Sequence, residues 1–253
     1  MIFDLQKASI SKRISAFLFD IILLGALVVG IAFLLSGILN YDGYQNTLNT
    51  AYANYEAEYG VSFEQTGESF MQMTPQQQEN YNAAYSALIN DKEAMSAYNM
   101  VLNLTLVITS LSILFGYLIL EFAVPLCFKN GQTLGKKIFG IGVMHKSGIQ
   151  ITPVLLFFRT ILGKYTLETM VPVLILMMIF FNVIGRLGTI ILGLFLLLQI
   201  IIVIVTPGRC LLHDLLAQTV AVDISSQKIF KDGAELLAYK QKMHAEEVAR
   251  QSY

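Results

Sequence analysis

The chain has no tryptophan, only two cysteines and little charge. Of its 253 residues, 14% are charged and 55% are apolar. Soluble domains average ~25% charged residues, so this composition excludes an ordinary soluble globular domain and fits a membrane protein. No His/Cys cluster accompanies Cys127 and Cys210, and no nucleophile–base pair stands out. No metal site, cofactor, enzyme activity or nucleic-acid partner is therefore expected. The Gly135-Lys136 pair lacks what a phosphate-binding loop needs: Gly131 is one residue too close and Lys137 stands where the hydroxyl should be. No small-residue cleavage site follows the first apolar run, which is also longer than the ~7–15 residues of a signal core. Positive charge is nearly missing from residues 40–99, where Asp42, Glu56, Glu58, Glu64, Glu68, Glu79, Asp91 and Glu93 face Lys92 alone.

Four apolar runs are present: Ile14–Leu39, Met100–Leu120, Met170–Gly185 and Leu187–Gly208. About 20 apolar residues cross the hydrocarbon of a bilayer. The expected fold is an all-α polytopic membrane protein with about four transmembrane helices. With both termini inside, 15 basic residues lie inside and 2 outside, as the positive-inside rule requires. This puts Cys127 and Cys210 at cytoplasmic membrane edges, where a structural disulfide is not expected. The expected divisions are 1–39 (cytoplasmic N-terminus and first span), 40–99 (extracytoplasmic helical insertion), 100–224 (remainder of the membrane domain) and 225–253 (charged cytoplasmic tail).

The first run carries one charge, Asp20, seven residues after Arg13. The two lie on nearly the same helix face, about 10 Å apart in rise. An intramembrane carboxylate should face protein or water, with a partner. Glu121, near the inner end of run two, lies at similar depth.

Residues 40–99 read as two or three helices, the last feeding run two. Tyr52, Tyr55 and Tyr59 recur at helical spacing. Gly60 is a helix stop, and both Ser62 with Gln65 and Thr74-Pro75 with Gln77 fit a capping box. Further on, Lys136 and Lys137 beside Leu134, Ile138 and Phe139 suit a short helix on anionic lipid. Ile141–Thr152 reads as a small cytoplasmic β-hairpin turning at Ser147-Gly148, with 219–224 as a third strand. Thr152-Pro153 starts a helix. Residues 153–185 are too long for one simple crossing, so an interfacial helix carrying Arg159, a break near Gly163 and a span are expected. Arg186-Leu187-Gly188 reads as a tight external turn. Residues 209–217 form an amphipathic stretch at the inner surface.

Three motifs now stand in order: Lys12-Arg13 through Asp20; Gly131-Gln132-Thr133-Leu134-Gly135-Lys136-Lys137 with Gly140-Ile141-Gly142-Val143; and Arg209-Cys210-Leu211-Leu212-His213-Asp214-Leu215-Leu216-Ala217-Gln218-Thr219-Val220. In them the chain resembles the RDD family of bacterial membrane proteins, named for one arginine and two aspartates. The resemblance covers residues 7–39 and 100–224, and the helical insertion inherits nothing from it. It implies a multi-pass protein of the cell membrane, and the family has no single agreed activity. Some members are reported as cation/proton antiporters and others look like accessory subunits.

Two functions follow. In the first, Arg13, Asp20, Glu121, Arg209 and Asp214 form a structural network at the inner leaflet of an accessory or assembly subunit. Its protein partner would meet residues 40–99 or the tail. In the second, Asp20 and Glu121 share a monovalent cation or proton in a small transporter, tuned by Arg13 and built as a homo-oligomer. The first is the stronger reading. Coupling of Arg13 and Asp20 to the Arg209–Asp214 segment is expected, because opposite charges there share one depth.

Overall fold

A computed structural model of the chain describes residues 6–64, 67–128, 130–206 and 210–251. Four helices are long and apolar enough to cross a membrane: α1 (Ile10–Ile38), α5 (Lys92–Phe128), α7 (Pro153–Phe180) and α8 (Gly185–Val205). Between α1 and α5 lie α2 (Tyr41–Tyr59), α3 (Gly67–Met71) and α4 (Pro75–Asn90). Between α5 and α7 lie the short α6 (Leu134–Ile138) and strand β1 (Ile141–His145). After α8 come α9 (Leu212–Leu216), β2 (Thr219–Asp223) and α10 (Gly233–Gln251).

The chain forms two compact units, Val29–Ser112 and Met1–Val28 with Ile113–Tyr253. In the first, the helix signals act as their chemistry predicts. Gly60 ends α2 at φ 62, and Thr74 and Gln77 close a reciprocal capping box on α4, whereas Gln65, read as the partner of Ser62, lies outside the described residues. Asp91 interrupts the chain before α5, accepting from the N–H groups of Glu93 and Ala94 and from the Tyr55 hydroxyl. The aromatic side chains pack edge to face, Tyr52 on Phe63 and Tyr81 against Phe63 and Phe70, the arrangement that ring quadrupoles favour.

In the second unit the buried apolar core gathers around the sheet. Ala8, Ala16, Ile141 and Ala221 form one cluster, Val143, Ile151 and Leu156 a second, and Met144, Val220 and Val222 a third. The long helices instead turn apolar side chains outward, with Ile22 70% and Ile204 74% exposed. Such faces would be untenable in water and suit lipid. Gly116 lets α5 approach α1, since a Cβ there would lie 2.8 Å from Val28. Small residues permit this approach between membrane helices.

Three local expectations are corrected. First, β1 pairs antiparallel with β2, and the hairpin arm shrinks to a single bridge, Met144 with Gln150. The Ser147-Gly148 turn is present, with the Gly148 N–H donating to the His145 carbonyl. A longer and more apolar partner, Thr219–Asp223, takes the ladder. Second, no break occurs at Gly163. The helix from Pro153 to Phe180 is continuous but widens over Phe158–Met170 to i→i+5 hydrogen bonding. This π-helix keeps the backbone bonded while rotating its polar residues to one side. Third, the turn before α8 comes early. It uses Asn182 at φ 55 and Gly185 at φ 49, and it leaves Arg186 inside the helix.

The Val143–Ala221 pair is a non-hydrogen-bonded one. The Val143 N–H goes to Asn130, and the Ala221 carbonyl accepts from Ala8. Such pairs bring Cα atoms to ~4.5 Å, within disulfide range. Val143→Cys with Ala221→Cys, in a background lacking Cys127 and Cys210, should crosslink under mild oxidation and shift on a non-reducing gel. Val143→Cys with Val222→Cys, one register off, should not.

Candidate functional site

The sequence-predicted charges are shared among three settings. Asp20 is half-buried and turned toward protein. It accepts from the Thr133 hydroxyl and, at 2.8 Å, from the Gly135 N–H. Thr133 is also the N-cap of α6, accepting from the Lys136 N–H. The carboxylate of α1 is thus seated on the start of α6, where free N–H groups point outward. Gly135 is required for the fit: a Cβ there would lie 2.4 Å from the Ala16 carbonyl and 2.9 Å from Asp20. Gly131 adopts φ 61, and the Gln132 amide donates to the Ile141 carbonyl at 2.8 Å. Each polar residue from Gly131 to Gly135 therefore has a task in docking this loop.

Arg13 donates to the Ala221 carbonyl at 2.7 Å, and Lys12 pairs with Asp223 at 2.6 Å. The N-terminal basic residues of α1 thus reach β2. Arg209 lies outside the described residues.

The third setting is a buried network that the sequence reading did not assemble. Arg159 Nε donates to Asp214 at 2.9 Å, with the two side chains 2% and 8% exposed. The Thr219 hydroxyl donates to the same carboxylate. Glu121 pairs with Lys164 at 2.6 Å, and the Glu121 carbonyl accepts from Thr160. Glu168 contacts both the backbone N–H and the ring Nδ1 of His213, at 2.9 and 2.7 Å. Glu121 itself lies in a second widened segment, Tyr117–Ala123 of α5. The two widened stretches meet, with Tyr117 and Tyr165 rings 5.9 Å apart and the Tyr117 hydroxyl 2.7 Å from that of Thr169. At Gly163 an added Cβ would lie 2.5 Å from His213, so the glycine lets α9 seat on α7.

Asp214 thus meets Arg159, whereas Asp20 and Glu121 hold separate partners. Arg159, Lys164, Glu168 and His213 were the residues sequence reasoning missed. Their signal was present: three ionisable residues five and four positions apart in an apolar run share a face once the helix widens. Lys136 and Lys137 also divide. Lys137 is exposed and lies 3.7 Å from the centre of the Phe128 ring. The Lys136 ammonium is instead buried, because docking of α6 on Asp20 turns that side inward.

Hydrogen bonding sets the histidine tautomer. Nε2 lies 3.0 Å from Arg159 Nη2, which can only donate. Nε2 is therefore the acceptor, and Nδ1–H donates to Glu168. The ring is neutral, so its 3.5 Å approach to Asp214 is no ion pair. Burial lowers the His213 pKa in agreement. Burial alone would raise the Asp214 carboxyl. The Arg159 guanidinium and the Thr219 hydroxyl more than offset it and hold the group below the usual carboxylate range. Among the described residues no group of three His, Cys, Asp or Glu is arranged to hold a metal ion.

Four apolar helices, a two-stranded sheet and a buried charge network define a polytopic membrane protein. The RDD family model matches residues 7–218, and the chain belongs to that family. No curated protein and no solved structure matches it.

Two outcomes test the network. Arg159→Met leaves Asp214 charged, buried and without its cation, which costs about 3–5 kcal/mol. Thermal unfolding in detergent should show the loss. Wild-type stability should also fall as pH drops. The unfolded chain binds more protons than the folded one below ~6.5 at His213 and near ~3.9 at Asp214. The slope between pH 5 and 3 should be shallower in Asp214→Asn.

Gly135→Ala should destabilise by about 1–3 kcal/mol, the usual range for overpacking, because the backbone at Ala16 cannot yield as a side-chain tip would. The same thermal assay reads it.

Proposed function

We propose that the chain is a non-enzymatic accessory or assembly subunit of the cell membrane. Its buried charges hold α5, α7, α9 and the sheet together, and the acidic helices of 40–99 or the charged tail meet a protein partner. The supporting observation is that the carboxylates are satisfied. Asp20 is held by Thr133 and Gly135, Glu121 by Lys164, Glu168 by His213, and Asp214 by Arg159 and Thr219. A group that exchanges a transported ion needs a ligand it can release, whereas these contacts bind one protein element to another. The partition of basic residues supports a reading with the N-terminus inside.

A second reading is a small cation- or proton-coupled transporter, working as a homo-oligomer, with Asp20 and Glu121 at its site. What favours it is that both carboxylates act electrostatically on one residue, Lys136.

One pair of measurements separates the readings. Residues 42–92 are replaced by a short Gly/Ser linker, and the tagged protein is purified from membranes and reconstituted. The subunit reading expects loss of a co-purifying partner, with the spans still folded, and no flux from full-length protein under any monovalent-cation or pH gradient. Flux that survives the deletion and is abolished by Asp20→Asn would overturn the subunit reading and support the transporter.

A further inference from the structure

The Lys136 ammonium stands apart from the carboxylates around it, each of which holds a partner. Its Nζ is buried and has no hydrogen-bond partner among the described residues. An ammonium carries three donors and no acceptor. Burying it without an acceptor is costly, and such a group sheds its charge instead. The side chain is held there by its own helix. Thr133 caps α6, Gly135 seats it on Asp20, and the side chain one position on points inward.

Charged groups face Lys136 from three other elements. Asp20 comes from α1, Glu121 from α5, and Lys164 and Arg159 from α7. On α6 itself, Lys137 points outward. Glu121 already shares its charge with Lys164, and Asp20 spends its oxygens on Thr133 and Gly135. A charged Lys136 therefore adds a third cation to a site whose two anions are engaged. A neutral amine relieves the crowding and stays in place. The buried Nζ has no exposed surface through which a larger anion could reach it.

We propose that Lys136 is a proton-binding site, taking up and releasing one proton in the folded protein between α1 and the Glu121–Lys164 pair. Burial, followed by the Lys164 charge, pushes its pKa down to about 7, with Glu121 and Asp20 pulling the other way. The folded form thus releases this proton near neutrality, while the unfolded chain keeps it to ~10.4. Folding is favoured as pH rises between these values. The site stands under either reading of function, because proton exchange here needs no net transport.

The test is an NMR titration of the full-length protein in detergent micelles, with lysine side chains labelled at ¹³Cε. One lysine resonance should titrate near pH 7, well below the ordinary lysine value of ~10.4. That resonance should vanish in Lys136→Met and persist in Lys137→Met. If Lys136→Met does not fold, Lys136→Arg keeps the charge and length while removing the resonance, and serves the same assignment. Asp20→Asn should move the midpoint lower, since one of the opposing anions is gone. If every wild-type lysine titrates above about pH 9, the proposal is overturned without any variant. A near-neutral resonance that survives loss of Lys136 overturns it equally.

Discussion

The cost of taking charge out of water governs this structure more than any apolar contact does. A buried charge left alone costs several kcal/mol, and in lipid no water is at hand to reduce that. The long helices therefore do not merely insert. Where α5 and α7 carry ionisable residues, both widen, so that Glu121 and Lys164 meet at 2.6 Å with Thr160 and Tyr117 beside them. Widened turns keep the backbone bonded while bringing polar side chains onto one face, which a regular 3.6-residue helix would scatter.

The same constraint explains the small elements. The five-residue α6 and α9 are too short to be stable alone. Each persists because it serves a charge of a long helix. α6 supplies N–H and hydroxyl donors to Asp20, and α9 supplies Asp214 and His213 to Arg159 and Glu168. Glycine makes both contacts possible, Gly135 against Ala16 and Gly163 against His213. A side chain at either place would hold the elements apart and leave a carboxylate or guanidinium without its partner.

The sheet ties these parts together. β2 follows α9 directly and returns to pair with β1, which follows α6. Its outer edge receives Ala8, Arg13 and Lys12 from the start of the chain. The N-terminal segment, the α6 loop and the α9 segment, distant in sequence, thus share one small core of Ala8, Ala16, Ile141 and Ala221. The Phe230 and Tyr239 rings meet at 5.2 Å, tilted by 54°, with Lys228 over both, which anchors α10 beside the sheet.

What the sequence by itself determined were features that depend on near neighbours. Hydropathy over some twenty residues marked the four long helices, and the capping box at Thr74 and the stop at Gly60 marked helix ends. The cost of a carboxylate in lipid already implied that Asp20 faces protein. Only the tertiary structure decided who pairs with whom. Thr133 lies 113 residues from Asp20, and Arg159 lies 55 from Asp214. Nothing local in Asp214 distinguishes Arg159 from Arg209 or Arg13 as its cation. β1 likewise preferred a strand some 75 residues away to its neighbour across Ser147-Gly148, because the distant segment buried more apolar surface. Lys136 shows the limit most clearly. Read locally it is a lysine on an amphipathic turn, suited to a lipid surface. Its ammonium is buried because Gly135, one residue earlier, is pinned to a carboxylate on another helix, and that pinning exists only in three dimensions.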